Sequence, residues 1–184
     1  VKRNEQLRGD SENAKALKTQ VLKALERNAT FRQVALPRKV RPPLFSRYSP
    51  GMTYGRHVDD ALMGPKRADR TDLSVTVFLS APDSYEGGEL EIETPFGPQS
   101  VKLPAGAAVV YPASSLHAVA PVVEGERLAA VTWVQSLVRD PARREVLYDL
   151  ALVRDHLNRA DNESDAAERA FKTYSNLLRM WAEP

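Results

Sequence analysis

The 184 residues carry a net charge of +2, with 27% charged and 42% hydrophobic positions, the balance of a single soluble globular domain. No cysteine is present, which excludes a disulfide scaffold, a cysteine-rich zinc site, an iron–sulfur cluster and a thiol nucleophile. No apolar run approaches the ~20 residues of a membrane-spanning helix and no signal peptide is visible, so the expected compartment is the cytoplasm. The first residue is Val1 and not Met, which puts the expected native start upstream and leaves a targeting segment open.

Residues 1–47 hold 12 Lys and Arg against 4 Asp and Glu, whereas the remainder holds 14 against 20. A basic end can meet nucleic acid, but these charges are interspersed and lack aromatic partners, so a solvated helix face is the simpler expectation. Residues 11–28 read as an amphipathic helix, with Ala14, Leu17, Val21, Ala24 and Leu25 on one stripe and Asn28 as its stop. Pro37 to Pro43 breaks the helix. From Leu44 to Leu137 the signals are β: runs at 44–48, 53–59, 73–80, 88–93, 99–103, 107–111, 116–122 and 127–137 alternate with Gly/Pro turns. About eight such strands without βαβ alternation predict a sandwich or jelly roll.

Helices return at Asp140-Pro141, an N-cap followed by proline. Val146, Leu150, Val153 and Leu157 then form a stripe. After a polar break at 158–164, Ala167, Phe171, Tyr174, Leu178 and Trp181 form another. The chain therefore reads as mainly β with flanking helices. An N-terminal helical segment spans 1–43, a jelly-roll core 44–138, and a C-terminal helical hairpin 139–184. The hairpin aromatics need burial against the core or against a second copy in a homodimer.

Three histidines are present. His156, beside Arg154 and Asp155 on the C-terminal helix, reads as solvated. His57 and Asp59 are two residues apart in a predicted strand, so both project to one side. An imidazole and a carboxylate so placed make half of a first-row metal site. If late and early strands meet, His117 completes a two-histidine, one-carboxylate facial triad with three open positions. A histidine hydrogen-bonded to a carbonyl is the plainer alternative. Arg127 opens the apolar run Arg127-Leu-Ala-Ala-Val-Thr-Trp-Val134, where a guanidinium needs an anion: a bound carboxylate, or Glu124 or Glu126 across the turn.

The order His-x-Asp, then His, then Arg ten residues on, in a β region, resembles the iron(II)/2-oxoglutarate-dependent dioxygenases of the prolyl hydroxylase type. The stretches Arg47–Asp59, Arg70–Ser80, Tyr85-Glu-Gly-Gly-Glu-Leu90, Val101–Gly106 and Val131–Asp140 are similar to the bacterial PKHD-type hydroxylases. The similarity runs from about Pro42 to Leu150, and relatives carry further sequence before the position of Val1, implying a chain shortened at its start. The resemblance implies a double-stranded β-helix, the jelly roll named above. Its implied iron ligands are His57, Asp59 and His117. Arg127 would bind the distal carboxylate of 2-oxoglutarate, with Tyr48 assisting or serving only as a core aromatic.

The implied reaction uses Fe(II), 2-oxoglutarate and O2, releases succinate and CO2, and hydroxylates a peptide or small molecule. Ascorbate (vitamin C) as reductant and a link to iron uptake are implied in the same way. The alternative is a non-catalytic jelly-roll metal-binding or iron-responsive protein, which would have no use for Arg127. The loop Ala61–Thr71, with Gly64-Pro65 and four charges, reads as a mobile substrate lid.

Overall fold

The computed structural model describes residues 1–9 and 11–183. Two short strands, β1 (Lys2–Arg3) and β2 (Glu5–Gln6), precede helices α1 (Glu12–Arg27) and α2 (Ala29–Ala35). Next come β3 (Pro37–Val40), β4 (Leu44–Tyr48), β5 (Thr53–His57), β6 (Leu62–Met63) and β7 (Asp69–Arg70). The central strands are β8 (Leu73–Phe78), β9 (Tyr85–Gly87), β10 (Leu90–Thr94), β11 (Gly97–Val101) and β12 (Ala108–Pro112). Strands β13 (His117–Val119), β14 (Val122–Gly125) and β15 (Arg127–Ser136) complete the β region, and α3 (Pro141–Ala160) and α4 (Asp165–Trp181) close the chain.

Two antiparallel sheets face each other. One runs β12-β8-β15-β4-β2 with β3 also on β15, and the other runs β1-β5-β13-β10-β11. Alternation along each strand sends one set of side chains between the sheets and the other outward. Between the sheets pack Tyr48, Phe78, Leu90, Ile92, Tyr111, Val119 and Val122. On the outer face of the larger sheet, Leu73, Val75, Val77, Ala130 and Val134 meet Leu25, Phe31 and Ala35 of α1 and α2. Strand β8 is buried along its whole length because both of its faces are covered.

Each predicted β run overlaps an observed strand, though β13 covers only part of 116–122, and β1, β2, β3, β6, β7, β9 and β14 are additions, the first three of them inside the segment 1–43 expected to be helical. Strand β3 lies in the segment expected only to break a helix. Helix α2 is a further addition: Asn28 ends α1 as expected, and its side-chain oxygen then accepts from the Phe31 N–H and caps α2. Ser11 caps α1 in the same manner. The predicted α1 stripe is half right, since Ala14 and Leu25 are buried whereas Leu17 and Ala24 are exposed.

Helix α3 begins at the Asp140 cap with Pro141 in the first turn, as expected. Its buried residues are Arg144, Leu147 and Ala151, not the predicted stripe, and Val146 is 48% exposed. The reason is Arg144, whose guanidinium donates to the carbonyls of Val138 and Arg139 and turns its own side of the helix inward. On α4, Tyr174, Leu178 and Trp181 pack on Leu36, Val138 and Leu147, but Phe171 is 59% exposed. His156 is exposed, as expected.

The loop Ala61–Thr71 is not a free lid. Strands β6 and β7 pair within it, and Asp69 holds Lys39 at 2.6 Å and Arg41 at 2.5 Å. Gly64 sits at φ +87°, and a Cβ there would lie 2.6 Å from the Arg41 guanidinium and 2.7 Å from the Asp69 carboxylate. Lys39 and Arg41 hold the Asp69 carboxyl below its ordinary pKa, so these ties persist at neutral pH.

Two apolar stripes share α3, and their stabilities should differ. Leu147→Ala is expected to cost about 3 kcal/mol through the cavity it leaves, and Val146→Ala less than about 1 kcal/mol. Urea denaturation of both variants measures this, and equal losses would contradict the observed orientation.

Candidate metal centre

Strands β5 and β13 are antiparallel neighbours, and their register sets His117 directly opposite His57. The two imidazole rings lie 4.2 Å apart, centroid to centroid. Asp59 follows β5 by two residues, so the strand ends earlier than the predicted 53–59 run, yet the carboxylate still reaches both rings. His57 Nε2 lies 3.9 Å from one carboxylate oxygen and His117 Nε2 lies 3.7 Å from the other. One ligand atom from each of the three residues falls within 4.8 Å of the others, a spacing that can hold a metal ion.

Both histidines are held by the same device. The Nδ1 of His57 is 2.9 Å from the Gly55 carbonyl, and that of His117 is 2.9 Å from the Ser115 carbonyl. A carbonyl can only accept, so Nδ1 carries the proton and Nε2 presents its lone pair to the space beside Asp59. Burial pushes the His57 pKa below its ordinary value and so favours the neutral ligand form, against the opposing pull of the Gly55 carbonyl. Tyr54 stacks on His57 at 3.6 Å, and Tyr111 meets His117 edge-on at 5.1 Å. The Ser74 hydroxyl donates to the Asp59 oxygen nearer His117, leaving the other oxygen free for a metal.

Arg127 opens β15 opposite Tyr48 on β4 and is 1% exposed. The alternative of an ion pair across the turn is not what forms: Glu126 turns to Arg47, 3.6 Å away. Among the described residues Arg127 has no carboxylate partner, and its Nε has no hydrogen-bond acceptor. Aromatic faces surround it, with the guanidinium carbon 5.3 Å from the Tyr48 centroid and 5.5 Å from that of Phe78. Burial pushes its pKa down, but an arginine remains a cation at neutral pH. The same burial pushes the Tyr48 and Tyr111 phenols up, so both stay neutral donors.

Arg127, Tyr48, His57, Asp59 and His117 line one cavity between the sheets, so the structure brings together every residue singled out for the site. Tyr54 and Tyr111 share it without having been singled out, and Ser74 stands behind Asp59. Ser74 had a legible signal, since Ser74 and Thr76 are the polar positions at two-residue spacing in the otherwise apolar run Leu73–Phe78.

A buried guanidinium without a counter-charge, in the cavity that holds a two-histidine, one-carboxylate cluster, fits a ferrous ion and a bound dicarboxylate. The donor set is that of the non-haem Fe(II) oxygenases, built here on a double-stranded β-helix. Residues 43–135 match the 2OG-Fe(II) oxygenase superfamily, and residues 141–183 match the PKHD-type hydroxylase C-terminal domain. PKHD-type hydroxylases of Burkholderia ambifaria and Synechococcus elongatus are each 52% identical over the whole chain, and one of Thioalkalivibrio sulfidiphilus is 54% identical. The chain spans 82% of each relative. A Pseudomonas putida prolyl-4-hydroxylase, 23% identical, shares the fold with a TM-score of 0.52 over 72% of this chain and 71% of its own. The chain belongs to the PKHD-type hydroxylases and is an Fe(II)- and 2-oxoglutarate-dependent dioxygenase.

The geometry separates Asp59 from its exposed neighbour Asp60, whose carbonyl merely accepts from the Thr71 hydroxyl. Asp59→Ala should abolish iron binding and Asp60→Ala should retain it. Ser74→Ala should weaken iron binding by about 10- to 100-fold through loss of the bond that holds Asp59. Metal content of the folded variants decides this, and iron loss in Asp60→Ala alone would contradict it.

Proposed function

We propose that His57, Asp59 and His117 are the iron ligands and that Arg127, with Tyr48 beside it, anchors the distal carboxylate of 2-oxoglutarate. The observation that carries this reading is the solvent-sealed Arg127, lacking an acidic partner among the described residues, in the cavity of the triad. A dicarboxylate with a 2-oxo acid head suits both ends of such a cavity: the head chelates a metal, and the tail pairs with the planar fork.

When bound, the ferrous ion supplies the activation of O2 that couples decarboxylation of 2-oxoglutarate to succinate with hydroxylation of a substrate C–H bond. The rest is the work of this chain's residues. The two Nε2 atoms and one Asp59 oxygen would hold the metal. Phe78 and Tyr48 keep water from Arg127, so its charge acts in a low-dielectric interior, and Tyr111 walls the cavity beside His117.

The substrate in this reading is a peptide or small molecule admitted on the side where exposed Lys2 and Gln6 line the cavity. Ascorbate would serve as the reductant that restores the ferrous state, the protein would act in the cytoplasm, and its chemistry would be connected with iron uptake. The ascorbate and iron-uptake assignments rest on the family resemblance. Among the described residues no helix is long and apolar enough to cross a membrane.

Anaerobic addition of 2-oxoglutarate to the Fe(II)-loaded protein should produce the visible charge-transfer band of a chelated 2-oxo acid. Arg127→Ala should weaken 2-oxoglutarate binding by about 10- to 100-fold with iron retained, and Arg127→Lys should recover only part of that loss. Unchanged 2-oxoglutarate affinity in Arg127→Ala would remove the anchor from this reading.

A further inference from the structure

Behind Arg127, on the side away from the cavity lining, stands a second buried polar group that the reaction as described does not use. Tyr85, the first residue of β9, is buried, and among the described residues its hydroxyl has no hydrogen-bond partner. The Arg127 Nε is without a partner in the same sense. The two side chains converge on Gly88: a Cβ there would lie 3.1 Å from Arg127 Cδ and 3.2 Å from Tyr85 Cε2. Gly88 holds φ +65°, so both the backbone angle and the space require glycine. Lys102 fixes the ring further, with its ammonium 4.0 Å from the ring centroid and 2.7 Å from the Tyr85 carbonyl, to which it donates. Burial pushes the Tyr85 pKa up, and Arg127 opposes this both by its charge and as a hydrogen-bonding neighbour of the hydroxyl, which places the two groups side by side.

We propose that Tyr85 is the positioning residue of the carboxylate anchor: its oxygen accepts the Arg127 Nε–H when the terminal nitrogens pair with the distal carboxylate, fixing the direction of the fork. This rests on the reading of Arg127 as that anchor. In the free protein the hydroxyl and the guanidinium are within reach of each other but make no hydrogen bond of normal geometry, which is unfavourable for stability. Ligand binding turns both into members of one bonded chain. Tyr85 therefore trades resting stability for ligand affinity and acts through Arg127 alone, because it does not line the cavity.

Tyr85→Phe removes the oxygen and keeps the ring. In anaerobic titrations of the Fe(II)-loaded protein, the variant should bind 2-oxoglutarate about tenfold more weakly than wild type. Its affinity for 2-oxovalerate, which has the same chain length and no distal carboxylate, should not change. The metal-free variant should melt at or above the wild-type temperature, a sign opposite to that of a residue needed only for folding. Unchanged 2-oxoglutarate affinity, an equal loss for both oxo acids, or a lowered melting temperature would overturn the role of Tyr85. A wild type that binds both oxo acids equally well would overturn the Arg127 anchor itself, and this proposal with it.

Discussion

The guanidinium of Arg127 is placed where a charge is most expensive, between two sheets and against aromatic rings, with no acidic side chain among the described residues to neutralise it. Taking an ion out of water costs several kcal/mol even after the protein relaxes. The site can hold it because β15 is the best-supported strand in the molecule, paired with β8 along one edge and with β4 and β3 along the other. A strand so held cannot swing its first residue toward solvent. The unfavourable charge then becomes a standing demand for an anion of one shape, in the cavity where the His57 and His117 nitrogens await a cation.

The same sheets explain why the three proposed ligands, drawn from distant parts of the sequence, need so little machinery. Pairing of β5 with β13 puts His57 and His117 side by side, and each ring is then fixed by a carbonyl two residues earlier on its own chain. Asp59 is steadied by Ser74 on β8, a strand of the opposite sheet. The proposed metal cluster therefore bridges the sandwich: its histidines belong to one sheet and the support of its carboxylate to the other. Any shift of one sheet against the other would be felt at the metal.

Much of this was legible in the residues. Alternating Val, Thr and aromatic runs broken by Gly and Pro gave the strands, and the two-residue offset of His57 and Asp59 survived even though β5 ends at His57. Less legible were choices settled by tertiary packing. Helix α3 carries two apolar stripes, and periodicity alone could not say that Arg144 would turn the Leu147 side inward. Asn28 could be read as an end and not as the cap of another helix, because one residue does both: its backbone N–H closes α1 on the Leu25 carbonyl and its side chain caps α2. The ion pairs of Asp69 with Lys39 and Arg41 join residues about thirty apart, so the loop Ala61–Thr71 looked free when it is tied to β3. Tyr85 and Ser74 take their meaning from neighbours on other strands.

The most direct test of this account is a crystal structure grown with Mn(II) in place of iron and N-oxalylglycine in place of 2-oxoglutarate, both inert to O2 chemistry. The account predicts a single metal on His57 Nε2, one Asp59 oxygen and His117 Nε2, chelated by the oxalyl head, with the distal carboxylate on the Arg127 fork. A metal held by other residues, or a carboxylate pointing away from an Arg127 that remains unpaired, would contradict it.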